Sequence, residues 1–184
     1  MFRITSLTAA LALATAPVFA DEVTDTLSSA LAAYEDGDLQ YAIEELDYAK
    51  SLINAMKTQA LEDYLPEPPE GWTLSVDSDM GAGMAFMGGG VGIEGEYSNG
   101  SDRFTISIMV DNPMVSAFGG MLANAAMLGM KVERIGRQKF IVDDGEITGL
   151  IDNRILVQAD GAAPEVILPL LETMDFEALA DFRG

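Results

Sequence analysis

The segment Pro66-Glu67-Pro68-Pro69-Glu70-Gly71 constrains how this chain folds more than any other. Proline removes a backbone donor and locks φ, so neither a helix nor a central strand passes through such a run. Before it, apolar residues recur at helical spacing; after it, they alternate as strands do. The run is therefore read as a stiff connector over 65–71, between a helical segment over 21–64 and a sheet-bearing segment over 72–184.

The helical segment divides into Glu22–Glu35 and Leu39–Asp63, broken at Asp36-Gly37-Asp38. Gly37 suits a left-handed turn and Asp38 can cap the second helix. On that helix Ala42, Leu46, Ala49, Leu52 and Ile53 form one apolar stripe, expected to be its packing face. The stretch Leu31-Ala32-Ala33-Tyr34-Glu35-Asp36-Gly37-Asp38-Leu39-Gln40-Tyr41-Ala42 has Ala30 just ahead of it and Leu46 and Ala49 behind it. It resembles one unit of the tetratricopeptide repeat (TPR) family. The closing proline is absent, Asn54 and Ala55 continue the helix, and no second copy follows. The resemblance implies a helical hairpin and protein–protein binding. One unit cannot bury its own apolar face, so the hairpin is expected to dock on the rest of the chain or on a partner.

Beyond the prolines, Trp72 to Val76 reads as a strand. Val91, Ile93 and Tyr97 share one face of the next, with Glu94 and Glu96 on the other. Asn99-Gly100 marks a hairpin, after which Phe104, Ile106, Ile108 and Val110 alternate with Arg103, Thr105, Ser107 and Met109. Gln138–Val142 and Ile147–Ile151 flank a second hairpin signal, Asp144-Gly145, and Arg154–Gln158 follows the turn Asp152-Asn153. These make an antiparallel meander with one solvated face. The segment Lys131–Gly161 with the helix after it, and the strand start at Gly71-Trp72, is similar to small secreted domains of the Mog1/PsbP type. That similarity implies a twisted antiparallel sheet carrying helices on one side. Pro164 is placed to open the last helix, and Pro169 to kink or shorten it. Phe176, Leu179 and Phe182 supply a final apolar contact. The expected fold is α+β: an N-terminal helical hairpin packed on an antiparallel meander, with one inserted apolar helix and a C-terminal helix.

The inserted helix should start at Asp111-Asn112-Pro113 and run to about Met130. Met114–Met130 carries no charge, and its polar residues are Ser116 and Asn124. A surface helix shows a polar face, so both flanks of this one are expected to be covered. One arrangement buries it between the sheet and the hairpin. The other makes Gly120, Ala123, Met127 and Met130, with Met84 and Met87 of the glycine-rich stretch, the lining of a groove for an apolar ligand, a lipid chain or a partner segment.

Residues 1–20 read as a secretory signal peptide. Arg3 supplies the positive charge, Leu7 to Ala16 the short apolar run, and Val18-Phe19-Ala20 the small residues before Asp21. The apolar run is shorter than a spanning helix, so no transmembrane span is expected after cleavage. The protein is thus expected to be exported: periplasmic in a bacterium, secreted otherwise. Absence of cysteine removes disulfides and thiol chemistry; absence of histidine removes the usual general base and the commonest metal ligand. A net charge of −20 repels nucleic acid and anionic lipid headgroups.

Three smaller clusters carry possible chemistry. Met80, Met84 and Met87 suit Cu(I). Asp77 with Asp79, and Asp143, Asp144 with Glu146, suit a hard cation but lack the spacing of a calcium loop. Glu94 and Glu96 read as a solvated sheet face. No catalytic residue, metal or cofactor is assigned. The expectation is a non-enzymatic exported protein making protein contacts as an adaptor or accessory factor. Its alternatives are a carrier or sensor of an apolar ligand or lipid in a helix–sheet groove, and copper handling by methionines.

Overall fold

The structure, a computed structural model, describes residues 18–77, 89–125 and 127–184. Two compact units are present, one ending at Leu52 and one covering Ile53–Gly184. The first contains α1 (Val18–Glu35) and most of α2 (Leu39–Leu61). The second begins in the last turns of α2 and a 3-10 turn, Glu62–Tyr64. It continues with β1 (Thr73–Asp77), β2 (Val91–Ser98), β3 (Arg103–Val110) and α3 (Pro113–Asn124). Then follow β4 (Lys131–Ile135), β5 (Gln138–Asp143), β6 (Glu146–Ile151), β7 (Ile155–Asp160), α4 (Pro164–Leu171) and α5 (Phe176–Ala180).

The protein is α+β, and its strands form one antiparallel sheet ordered β1-β2-β3-β7-β6-β5-β4. Two meanders, β1-β2-β3 and β4-β5-β6-β7, join along β3 and β7. The tight turns follow their residues: Asp144 and Gly145 hold the positive φ that a two-residue hairpin needs, and Asp152 and Asn153 hold positive φ in the three-residue turn between Ile151 and Ile155. At Asn99 the side-chain oxygen accepts from the amides of Ser101 and Asp102. β4 was not legible as a strand. It is a five-residue edge strand in which the alternation of Lys131, Val132 and Glu133 breaks at Arg134, and Lys131 pairs with Glu133 at 3.0 Å. Its one turn signal is Gly136, at φ +58°.

Register aligns one apolar row of each inner strand on a common face. A single row crosses Ile93, Ile108, Val157, Gly149 and Phe140. Gly149 leaves a gap in that row, and the Phe140 ring lies across it, where a Cβ would collide. Leu61 and Leu65 seat on this face, as do Ile167 and Leu171 of α4 and Phe176 and Leu179 of α5. Phe140 meets Phe176 at 5.4 Å between ring centres. The proline run is anchored at its start: Leu65 and Pro66 are buried, and the Pro66 carbonyl accepts a 2.7 Å hydrogen bond from the Tyr97 hydroxyl. Tyr97 in turn stacks on Phe104.

α3 crosses the other face from β3 toward the far edge of the sheet. Val115, Phe118 and Leu122 pack on Met109, Leu150 and Leu156. The helix is shorter than its apolar run suggested. Regular helix stops at Asn124, and the chain turns on to Gly129, which closes it at φ +77° with the Met130 amide donating to the Ala125 carbonyl. At the other end of the chain, Pro169 lies inside α4, which ends two residues later. Among the described residues no helix is long and apolar enough to cross a membrane.

Burial pushes the Tyr97 phenol well above its ordinary value of 10.0. The fold holds the neutral form, so this contribution to stability is complete below pH 10 and is lost as pH climbs further, when only the unfolded chain gives up the proton. Tyr97→Phe should cost about 1–2 kcal/mol at neutral pH by orphaning the Pro66 carbonyl. It should also flatten the alkaline loss of stability in urea titrations run across pH 9 to about 11. Gly149→Ala should destabilise by about 1–3 kcal/mol through the Phe140 collision, and Gly149→Ala with Phe140→Leu should recover part of that.

Candidate functional site

The hairpin is built on small residues. Thr26, Ala30 and Ala33 of α1 and Ala42, Ala49 and Leu52 of α2 are buried. Alanines at these positions let two helices approach closely, and the loop fixes the approach. Gly37 sits at φ +83°, the Asp38 amide donates to the Ala33 carbonyl at 2.9 Å, and the Asp38 carboxylate caps α2 at the Tyr41 amide, 3.1 Å.

The hairpin has two unlike faces. On one, Ser29 donates to the Tyr41 hydroxyl, and the Tyr48 hydroxyl donates to Glu22 at 2.6 Å. The bonded partner moves back along α1 as it moves forward along α2, so the helices are antiparallel. Glu22 raises the Tyr48 pKa, through that hydrogen bond first and its negative charge second. The other face is apolar. Leu27, Leu31 and Tyr34 recur at i, i+4, i+7 on α1, and Leu39, Ile43 and Leu46 do the same on α2. At about 100° per residue each trio lies roughly a quarter turn from its buried alanines, in the same rotational sense. In antiparallel helices that sense brings both trios to one side, opposite the tyrosine–glutamate bonds. All six side chains are 44 to 64% exposed.

This corrects the sequence reading of α2. Ala42 and Ala49 pack in the seam as expected, but Leu46 is 52% exposed and Ile53 is exposed too. Two stripes interleave on α2, and the sequence stripe mixed members of both. The open face was legible as spacing; its emptiness was not.

A second feature lies in the sheet unit. A groove of about 370 Å³ runs between α3 and the β5–β6 hairpin. Phe118, Met121, Met130 and Ile141 line its apolar side, and Asp143, Asp144, Glu146 and Thr148 its polar side. Of the residues expected to line a groove, Met130 does so. Gly120 and Ala123 are exposed, with nothing within 4 Å of a Cβ at Gly120. Met127 is 88% exposed. Met121 and Leu128 of the same stretch are exposed as well. Met84 and Met87, like Met80 and Asp79, lie outside the described residues. Glu94 stands on the sheet face away from the main core, where it accepts a hydrogen bond from Ser107. Among the described residues no three carboxylates converge on a metal-sized site.

Compared with known proteins, the chain matches no family model, no curated protein and no solved structure.

The hairpin geometry separates two kinds of substitution. Ala49→Leu, in the seam, should overpack and cost about 1–3 kcal/mol, read as faster amide exchange along α1 and α2. Leu46→Ser, on the open face, should change stability by no more than about 0.5 kcal/mol in the same measurement.

Proposed function

We propose that this chain is an exported, non-enzymatic adaptor that binds another protein through the apolar face of its helical hairpin. The observation that carries this reading is the coexistence of six large exposed apolar side chains on one face with a seam that is already closed by alanines. Their exposed surface amounts to roughly 600–700 Å², close to the ~800 Å² that each partner contributes to a standard interface. A contiguous apolar patch of that size on a soluble protein marks an interaction site more often than bare surface. The TPR-like pattern from Leu31 to Ala42 and the leader-like first twenty residues support the same reading, since a hairpin of that type ordinarily stacks on a neighbour.

Affinity capture from the native compartment tests it. The expected result is a stoichiometric protein partner that is lost at least about tenfold when Leu31→Glu and Leu46→Glu are combined, with the thermal melt unchanged. A partner retained by that variant would overturn the assignment of the face.

A second reading rests on the α3 groove: carriage of an apolar ligand against Phe118, Met121 and Met130. Native mass spectrometry of gently extracted protein is expected to show a bound lipid-sized mass if this reading holds, and Met130→Glu to abolish it. Bare protein under those conditions would exclude it.

A further inference from the structure

We infer that the occupant of the hairpin face is an amphipathic helix of a partner protein that carries lysines or arginines along both flanks of its apolar stripe. This rests on the reading of that face as a docking surface and adds the chemistry of what docks. The shape comes first. Two antiparallel helices set close by alanines leave a shallow trough with Leu27, Leu31 and Tyr34 on one wall and Leu39, Ile43 and Leu46 on the other. An apolar helix face with anchors at i, i+3, i+4 and i+7 fills such a trough. Leu39 to Leu46 spans about 10 Å of α2, which two turns of a partner helix cover.

Charge then selects the partner. None of the hairpin's acids falls within either apolar trio. At helical spacing Glu35 projects beside the apolar trio on the outer flank of α1 and Asp47 does so on the outer flank of α2, with Asp21 and Glu44 further round their helices and Asp25 on the side of the tyrosine–glutamate bonds, all of them exposed. A helix lying in the trough thus has carboxylates beside it on both sides. Basic flanks are attracted there and acidic ones repelled. Lys50, one turn beyond Leu46, is the single cation on this strip and is where an acid of the partner fits. A second copy of this chain would bring the same acidic flanks together under a net charge of −20 each, so it is the poorer occupant.

The test uses the full chain and three synthetic helices of about 14 residues: a leucine stripe with lysine flanks, the same stripe with glutamate flanks, and a scrambled lysine peptide without the stripe. Binding is read by fluorescence anisotropy and self-association by sedimentation. The lysine-flanked helix should bind at least about tenfold tighter than the other two, weaken as salt rises to about 0.5 M, and lose its advantage against Leu31→Glu with Leu46→Glu. Equal binding of the lysine and glutamate helices, each lost on that double substitution, would overturn the basic-flank inference and leave the docking face standing. A dimer dissolved by the same substitutions would do likewise, naming a second copy as occupant. Binding of the lysine helices that the double substitution leaves untouched would overturn both.

Discussion

One apolar face shared in register by the inner strands is the constraint on which the sheet unit depends. Ile93, Ile108 and Val157 stand in line because each strand alternates and each turn admits one pairing. A slip of a single residue would carry every one of these side chains to the opposite face and bring Glu94 or Ser107 inward. The helices depend on that face as well. α4 and α5 are short and bury Ile167, Leu171, Phe176 and Leu179, so their stability comes from what they sit on and not from their length. Gly149 shows how closely the face is filled, since its missing side chain is replaced by a neighbour's ring.

The second organising element is electrostatic. In a chain so rich in acids, each cation has many possible partners, and the structure places the half-buried ones at a junction. Arg154 pairs with Asp111 at 3.3 Å and Asp152 at 3.6 Å, and it donates to the Phe182 carbonyl. Lys57 reaches the same Asp111 at 3.8 Å. Asp111 holds a positive φ at the entry to α3, and its amide bonds the Arg154 carbonyl. One arginine thus ties together the β6–β7 turn, the start of the crossing helix and the C-terminus. A partly buried arginine forming several charge-assisted bonds does this better than a lysine, which lacks the planar fork.

The hairpin follows a different logic. Its seam is closed by small residues, which leaves its large apolar side chains without a role inside the hairpin. Alanine at Ala30, Ala33, Ala42 and Ala49 permits close approach, while leucine, isoleucine and tyrosine beside them keep their surface in water. Neither trio carries a charge, and the acids lie on the outer flanks and the opposite face. Segregation of that kind costs solubility, and the docking role proposed above would account for it.

The strands, turns and helix starts were legible because each rests on local chemistry: alternation in β2 and β3, Asn-Gly and Asp-Gly at the hairpins, Pro113 and Pro164 at helix entries. β4 escaped because an edge strand needs no apolar alternation and carries charges instead. Regular helix in α3 ended at Asn124 because a left-handed glycine, Gly129, closes the turns that follow. What the sequence by itself determined was therefore the element list apart from the edge strand β4, and the apolar row of each inner strand, since both follow from backbone geometry and side-chain period. What only the tertiary structure decided was which of two interleaved stripes on α2 is buried, and which flank of α3 is covered. Helical spacing lists the residues that share a face, but only the packing of another element against a face removes it from water.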